Sequence, residues 1–288
     1  MKDYYLSICA IFRNEASYLD EWIQFHKSNG VEHFFLYNHL STDDSIQKLT
    51  PYIDAGIVTT INWLVNNHIK AQPKAYQHCL DNHGQSSRWI AFIDLDEFLF
   101  SPCGNLVDML KEYESYCGVV VHWQCYGSSG HVNRPDGLVT ENYLYRAKTN
   151  WVRNQRVKSI VNPDLALRPV GPHFFKYNEF SCAVNENHIP VTFRKLNKVS
   201  RKIRKARSRI ELFFNLFTVD PYAVLTTNDT NPTANKLRIN HYSIKSYNEF
   251  LKKITKHESD RYDYLYFRYH DRNEVYDPIL KGSVNSHM

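Results

Sequence analysis

Apolar residues come in short blocks through the first hundred positions, separated by polar, turn-forming clusters. Tyr4 to Phe12 is nearly continuous apolar sequence and predicts a first strand, ending in Arg13, Asn14 and Glu15 where a strand gives way to a helix. Leu19, Trp22, Ile23 and His26 then recur at helical spacing, with Gly30 as the predicted stop. His33 to Tyr37 predicts a second strand running into Asn38-His39-Leu40-Ser41-Thr42-Asp43-Asp44, a stretch of turn and N-cap residues. A short helix to Thr50, a third strand at Ile57 to Trp63 and a helix over Gln72 to Leu80 follow. The fourth block is Trp89 to Phe100 (WIAFIDLDEFLF), whose apolar run predicts a fourth strand with carboxylates at its end. This alternation of strands and helices predicts an α/β fold with a mostly parallel sheet and helices on both faces.

The fourth block carries the first chemical signal. Ile90 to Ile93 are apolar, as in a strand buried on both faces, and Asp94, Asp96 and Glu97 follow at once. That puts carboxylates at the carboxyl end of a parallel strand, where open α/β sheets bind ligands. Two carboxylates two residues apart on an extended chain face the same side, so Asp94 and Asp96 can share one cation. Oxygen ligands without a nearby His or Cys favour Mg2+ or Mn2+ over zinc, with substrate phosphates completing the shell.

Beyond the carboxylates the pattern loosens. Gly118 to Gln124 predicts another strong strand, followed by shorter strand-like pieces at Val139 to Tyr145, Lys158 to Val161 and Val191 to Arg194. The second half therefore reads as mixed and antiparallel. Glu186, in an Asn-Glu-Asn turn, is expected to be solvated. Residues 198–217 predict an amphipathic helix, with Val199, Ile203, Ala206, Ile210, Phe213 and Phe217 on one face. Ser246 and Glu249 make a capping box at the start of a further helix. The expected organisation is one domain in two parts. A first half (1–125) ends with the carboxylate strand region, a second half of the same domain (126–281) follows, and 282–288 is an expected disordered tail.

Charge and cysteines refine this picture. The net charge of +5 is concentrated: eight Lys or Arg and no acid lie between Lys195 and Arg209. Setting those aside (35 less 8) leaves 27 basic residues against 30 acidic, so the chain has one basic element rather than a basic character. That element makes 198–217 a candidate peripheral contact with an anionic membrane. Six scattered cysteines without a C-x-x-C pair fit reduced thiols, and the N-terminus lacks the pattern of a signal peptide. The expected location is therefore cytoplasmic, with peripheral attachment to the inner face of a membrane as an option. No glycine-rich dinucleotide or P-loop motif is present.

Four stretches, Cys9 to Glu15 (CAIFRNE), Phe35 to Asp43 (FLYNHLSTD), Trp89 to Phe98 (WIAFIDLDEF) and Asn240 to Ser246 (NHYSIKS), together resemble the GT-A fold glycosyltransferases. More narrowly, they resemble the family 2 relatives grouped with glycosyltransferase family 92. The resemblance implies transfer of a sugar, galactose at the level of the family, from a UDP-sugar with inversion. It implies Mn2+ or Mg2+ on the diphosphate and a glycan acceptor, while a lipid-linked glycan, in polysaccharide or lipopolysaccharide biosynthesis, would suit the basic element 198–217 docked on a membrane. By position, Asp94 and Asp96 match the D-x-D motif, with Asp96 the more direct ligand. Arg13, Asn14 and Glu15 match the loop along the nucleotide. Asn38, His39 and Leu40 replace two acids and a glycine common in family 2, while Asp43 is retained. His241 stands as a third metal ligand and Lys245 as a counter-charge to phosphate. Inverting transfer also needs a base, for which Glu97, His131, Glu141, His173 and Glu179 are all open.

Three other readings compete. A haloacid-dehalogenase-type phosphatase shares the strand-to-D-x-D signature, but there Thr or Val usually stands where this chain has Phe98. A sugar-phosphate nucleotidyltransferase requires a glycine-rich first loop, which Phe12-Arg13-Asn14 does not supply. A carbohydrate- or nucleic-acid-binding protein would use the basic helix, but no base-reading motif accompanies it, so no nucleic acid is expected.

Overall fold

The computed structural model describes residues 2–65, 68–178, 183–192, 225–226, 232–257 and 264–284. The predicted helix 198–217 and Glu179 lie outside the described residues, as do 285–288 at the end of the expected tail. Gly282 to Val284 are placed, and Val284 is buried.

The apolar blocks of the first half become β1 (Tyr4–Phe12), β2 (His33–Asn38), β3 (Val58–Asn62) and β4 (Ser87–Phe92). They are joined by α1 (Ala16–Ser28), α2 (Ser45–Asp54) and α3 (His68–His83). All three neighbour pairs, β3 with β2, β2 with β1 and β1 with β4, are parallel. Crossover helices make that possible, because parallel neighbours cannot be joined by a tight hairpin. Gly30 closes α1 with φ of +91°, and a Cβ there would lie 2.6 Å from Cγ2 of Val107, so both backbone and space require glycine.

The rest of the chain adds β5 (Glu97–Phe100), α4 (Leu106–Lys111), β6 (Gly118–Cys125), α5 (Val139–Asn142), β7 (Tyr145–Arg146) and β8 (Val157–Val161). Four short strands follow, β9 (Ala166–Pro169), β10 (Phe175–Tyr177), β11 (Ala183–Val184) and β12 (Val191–Thr192), and then β13 (Leu225–Thr226) and β14 (Arg238–His241). The last elements are α6 (Tyr247–His257), α7 (Tyr264–His270) and β15 (Val275–Tyr276). The main sheet runs β3-β2-β1-β4-β8-β6-β14-β5, with β11 also on β6. Five of its eight pairings are parallel; the antiparallel ones are β4 with β8, β8 with β6 and β14 with β5. The expected α/β class and mostly parallel sheet are therefore present, with antiparallel strands brought in from the second half.

Four local expectations are corrected. The chain does not stay extended through Asp94 and Asp96: it turns at Leu95-Asp96, where the Glu97 N–H donates to the Asp94 carbonyl, and β5 then pairs with β14. Val139 to Tyr145 is not a strand. The Glu21 carboxylate on α1 accepts the Val139 N–H, the Thr140 N–H and the Thr140 hydroxyl, satisfying the orphan donors that start a helical turn. Glu186 is 2% exposed rather than solvated, and accepts three consecutive backbone N–H groups, from Asn235, Lys236 and Leu237. Finally, Cys117 is disulfide-bonded, so not all six thiols are reduced, while Cys9, Cys79, Cys103 and Cys125 are free.

Candidate metal and nucleotide site

The turn between β4 and β5 sits at the carboxyl end of the parallel strands and is fastened from several sides. The Ile93 N–H donates to the Cys9 carbonyl, the Asp94 N–H to Oε2 of Glu97, and the Trp22 indole N–H to the Glu97 carbonyl. From the far end of the chain, the Tyr242 N–H donates to the Asp96 carbonyl at 2.8 Å. His26 holds β5 to α1: its Nε2 accepts the Leu99 N–H, so Nδ1–H donates to the Trp22 carbonyl. Burial pushes this imidazole down to about 3, and it stays neutral.

Asp94 and Asp96 do not share one partner. Asp94 Oδ2 lies 2.8 Å from the Nζ of Lys158, whose side chain is 0% exposed in the middle of β8. Oδ1 of Asp94 accepts from the Gln72 amide on α3 at 2.5 Å. Asp96 turns the other way, toward the closing segment. Its Oδ2 accepts from Lys253 Nζ at 2.7 Å, and its Oδ1 lies 3.6 Å from Nε2 of His241. Burial alone would raise the Asp96 carboxyl, but the Lys253 ammonium and His241 outweigh it and hold the group well below the usual carboxylate range.

A metal-competent group forms on the Asp96 side. Asp96, Glu97 and His241 each offer one ligand atom, all within 4.8 Å of one another. Glu97 is 0% exposed, and its Oε1 has no hydrogen-bond partner among the described residues; the same holds for the buried Nδ1 of His241. Unpartnered buried polar atoms are costly, and two in one carboxylate–imidazole group fit a divalent cation. Burial pushes the Glu97 carboxyl well above its ordinary 4.5, with Lys158 only partly offsetting this, while burial pushes His241 down against the pull of Asp96. Of the three expected ligands, Asp96 and His241 come together, Glu97 joins them, and Asp94 is committed to Lys158.

The expected nucleotide loops lie side by side. The Asn14 N–H donates to Ser41 Oγ, the Thr42 N–H to Asn14 Oδ1, and the Ala16 N–H to Asp43 Oδ2. Asp43 thus tethers the start of α1. The Ser41 N–H donates to Asn38 Oδ1, the Glu15 N–H to Ser45 Oγ, and the buried Nε of Arg13 has no partner among the described residues. Asn14, Leu40 and Lys245 adopt left-handed backbone, with φ of 56°, 58° and 52°. Such conformations cost of order 1–3 kcal/mol each and collect where a loop must present groups to a ligand.

The closing segment is built on the predicted capping box. The Ser246 N–H and hydroxyl donate to Glu249 Oε2, and the Glu249 N–H donates back to Ser246 Oγ. Tyr18 and Tyr143 donate to the same carboxylate. Lys245 packs its ammonium 4.1 Å above the Tyr18 ring, and burial pushes its pKa down. The candidate bases are spread out. His173 approaches the metal group through Trp123, whose ring lies 5.4 Å from His173 and 4.1 Å from His241. His131 and Glu141 lie around α5: His131 donates from Nε2 to the Asn142 carbonyl, and Glu141 accepts the Gly282 N–H.

Sequence reasoning does not single out Lys158 and Lys253, the partners of the two aspartates. Lys158 had a signal, a lone cation in the apolar strand Val157 to Val161; Lys253 had none beyond a polar position on an amphipathic helix.

Residues 2–284 match the profile of glycosyltransferase family 92. A glycosyltransferase family 92 protein of Oryza sativa subsp. japonica is 34% identical over 173 residues, covering 58% of this chain and 28% of that protein. One from Ricinus communis is 33% identical over 168 residues, covering 57% and 29%. The chain thus spans under a third of these relatives' lengths. Among solved structures, Staphylococcus aureus TarS 1–349 in complex with UDP aligns with a TM-score of 0.37 and 14% identity, covering 55% of this chain and 47% of that one. No helix among the described residues is long and apolar enough to cross a membrane.

Proposed function

The chain belongs to glycosyltransferase family 92, and on that premise we propose that it transfers a sugar from a UDP-sugar to a glycan acceptor with a divalent ion, Mn2+ or Mg2+, at Asp96, Glu97 and His241. The observation that carries this reading is the group itself: three ligand atoms within 4.8 Å at the end of the parallel strands, two of the residues with orphaned buried atoms. The ion, when bound, supplies positive charge against the diphosphate leaving group. The chain's own residues do the rest. Lys245 adds a counter-charge, and the capped start of α6 turns its N-terminal dipole to the same side. Arg13, Asn14 and Asn38 line the stitched loops against the nucleoside. Asp94 holds the turn in place through Lys158 instead of binding the ion.

For the base we select His173. Its Nδ1–H donates to the Val157 carbonyl, which leaves Nε2 as the accepting nitrogen, and it stands one ring away from His241. Galactose as the sugar and inversion at its anomeric carbon belong to this reading through the family resemblance. The disulfide at Cys117 favours an oxidising compartment over the cytoplasmic location expected from the cysteine pattern.

Calorimetric titration of UDP and UDP-sugars with and without Mn2+, on wild type and Asp96→Asn, tests the reading. Wild type should bind UDP far more tightly with Mn2+. Asp96→Asn should lose that enhancement and at least about a hundredfold in transfer while melting cooperatively. Full activity in EDTA would refute the metal-assisted mechanism.

A further inference from the structure

We infer that Lys253 is a competitor for the metal position, occupying Asp96 in the donor-free protein and displaced when the cation enters. The inference rests on the metal site proposed above and goes beyond it. Its ground is a single carboxylate with two claims on it. Asp96 Oδ2 accepts from the Lys253 ammonium at 2.7 Å, and Asp96 is also one of the three residues whose ligand atoms converge. Lys253 takes Oδ2 while Oδ1 turns toward His241, so an ammonium on one oxygen and a divalent cation on the other repel each other at close range and each weakens the other's hold.

The surroundings suit an exchangeable occupant. Lys253 also donates to the Ser243 carbonyl at 2.9 Å, so it bridges the metal turn to the segment between β14 and α6. Its side chain is 41% exposed and can swing into water, unlike the enclosed Lys158. Seven positions earlier, α6 is fixed by the Ser246–Glu249 box and by the Tyr18 and Tyr143 hydroxyls. The helix is therefore anchored at its start and tied at Lys253 to the site. Taking Asp96 from Lys253 removes the link between α6 and the metal turn, while the capping box and the packing of Tyr247 and Phe250 on Phe267 remain. Metal loading is thereby coupled to the freedom of α6, which places Lys253 as a positioning residue.

The test measures Mn2+ affinity without nucleotide, from the free-ion electron paramagnetic resonance signal, on wild type, Lys253→Gln, Lys253→Arg and Lys252→Gln. Lys253→Gln should bind Mn2+ at least about fivefold tighter than wild type. Lys253→Arg, which keeps the cation, should stay near wild type, and Lys252→Gln should change affinity less than about twofold. In wild type, Mn2+ should also speed amide exchange in α6, and Lys253→Gln should exchange fast before any metal is added. Equal or weaker Mn2+ binding by Lys253→Gln overturns the competition and leaves the metal site standing. An equal gain in Lys252→Gln overturns it too, since general charge would then explain the effect. No Mn2+ binding by any of the four proteins, with or without UDP, removes the metal site and the competition together.

Discussion

Asp94 and Asp96 stand two residues apart on one turn, and each meets a lysine, but the lysines differ in kind. Lys158 rises from the middle of the sheet with no exposed surface, while Lys253 reaches in from α6 and remains two-fifths exposed. The Asp94 side also receives Gln72 and stays within the first-half helices and the central sheet. The Asp96 side is made by the C-terminal segment, through Lys253, His241 and the Tyr242 N–H. One motif is therefore divided between the central sheet and the closing segment. A buried charge pair is expensive to break because the remaining charge stays uncompensated, whereas an exposed pair contributes little and exchanges readily. The first suits an element that must keep its place, the second one that must give way to a ligand.

The largest effect expected from this contrast is on the sheet side. Lys158→Met should cost about 2–3 kcal/mol of folding stability, because Asp94 would lose its buried cation while keeping Gln72 and a third of its surface in water. Urea denaturation in EDTA measures this directly. A loss under about 1 kcal/mol would show that Gln72 and water alone hold Asp94, and the contrast would collapse.

A second effect sharpens the comparison through pH. Glu97 has its folded pKa raised above the ordinary 4.5, so as pH rises past that value the unfolded chain ionises first and the metal-free fold loses stability. Glu97→Gln should therefore gain on wild type as pH rises above about 4.5 and match it below. Asp96 has the opposite sign: its folded pKa lies below the ordinary 3.8, so its contribution is present above that value and lost as pH falls through the folded one. Asp96→Asn should be less stable than wild type at neutral pH and equal to it in strong acid. Melting curves in EDTA from pH 3 to 8 separate the two, and parallel profiles would show that the neighbours share one environment.

The smallest effect belongs to the exchangeable side. Lys253→Gln should change metal-free stability by no more than about 1 kcal/mol, since its side chain is solvent-screened. A loss comparable to that of Lys158→Met would put Lys253 on the same footing as Lys158.

The sequence carried the parallel strands and the capping box because both are local signals: a run of apolar residues, and Ser246 three positions before Glu249. It also carried the chemical type of the site, through carboxylates placed after a buried strand. What it hid depends on distant partners. Asp94 and Asp96 read as facing one side of an extended strand, yet the chain turns between them because β5 pairs with β14, about 140 residues downstream. Glu97 read as a candidate base and joins His241 for the same reason. Glu186 read as solvated because its neighbours are asparagines, and nothing nearby signals the three amides it accepts from positions 235 to 237.

That last contact has a consequence for how such a protein can change. The carboxylate of Glu186 grips the chain three residues before it enters β14, and β12 pairs with β13 further upstream. Glu186 fixes the residues that enter β14, so the register that sets His241 against Glu97 is defined on that side by a contact from position 186. The alignment of the carboxylate turn with its imidazole is thus inherited from a side chain far earlier in the chain, and a change at Glu186 would be felt at His241.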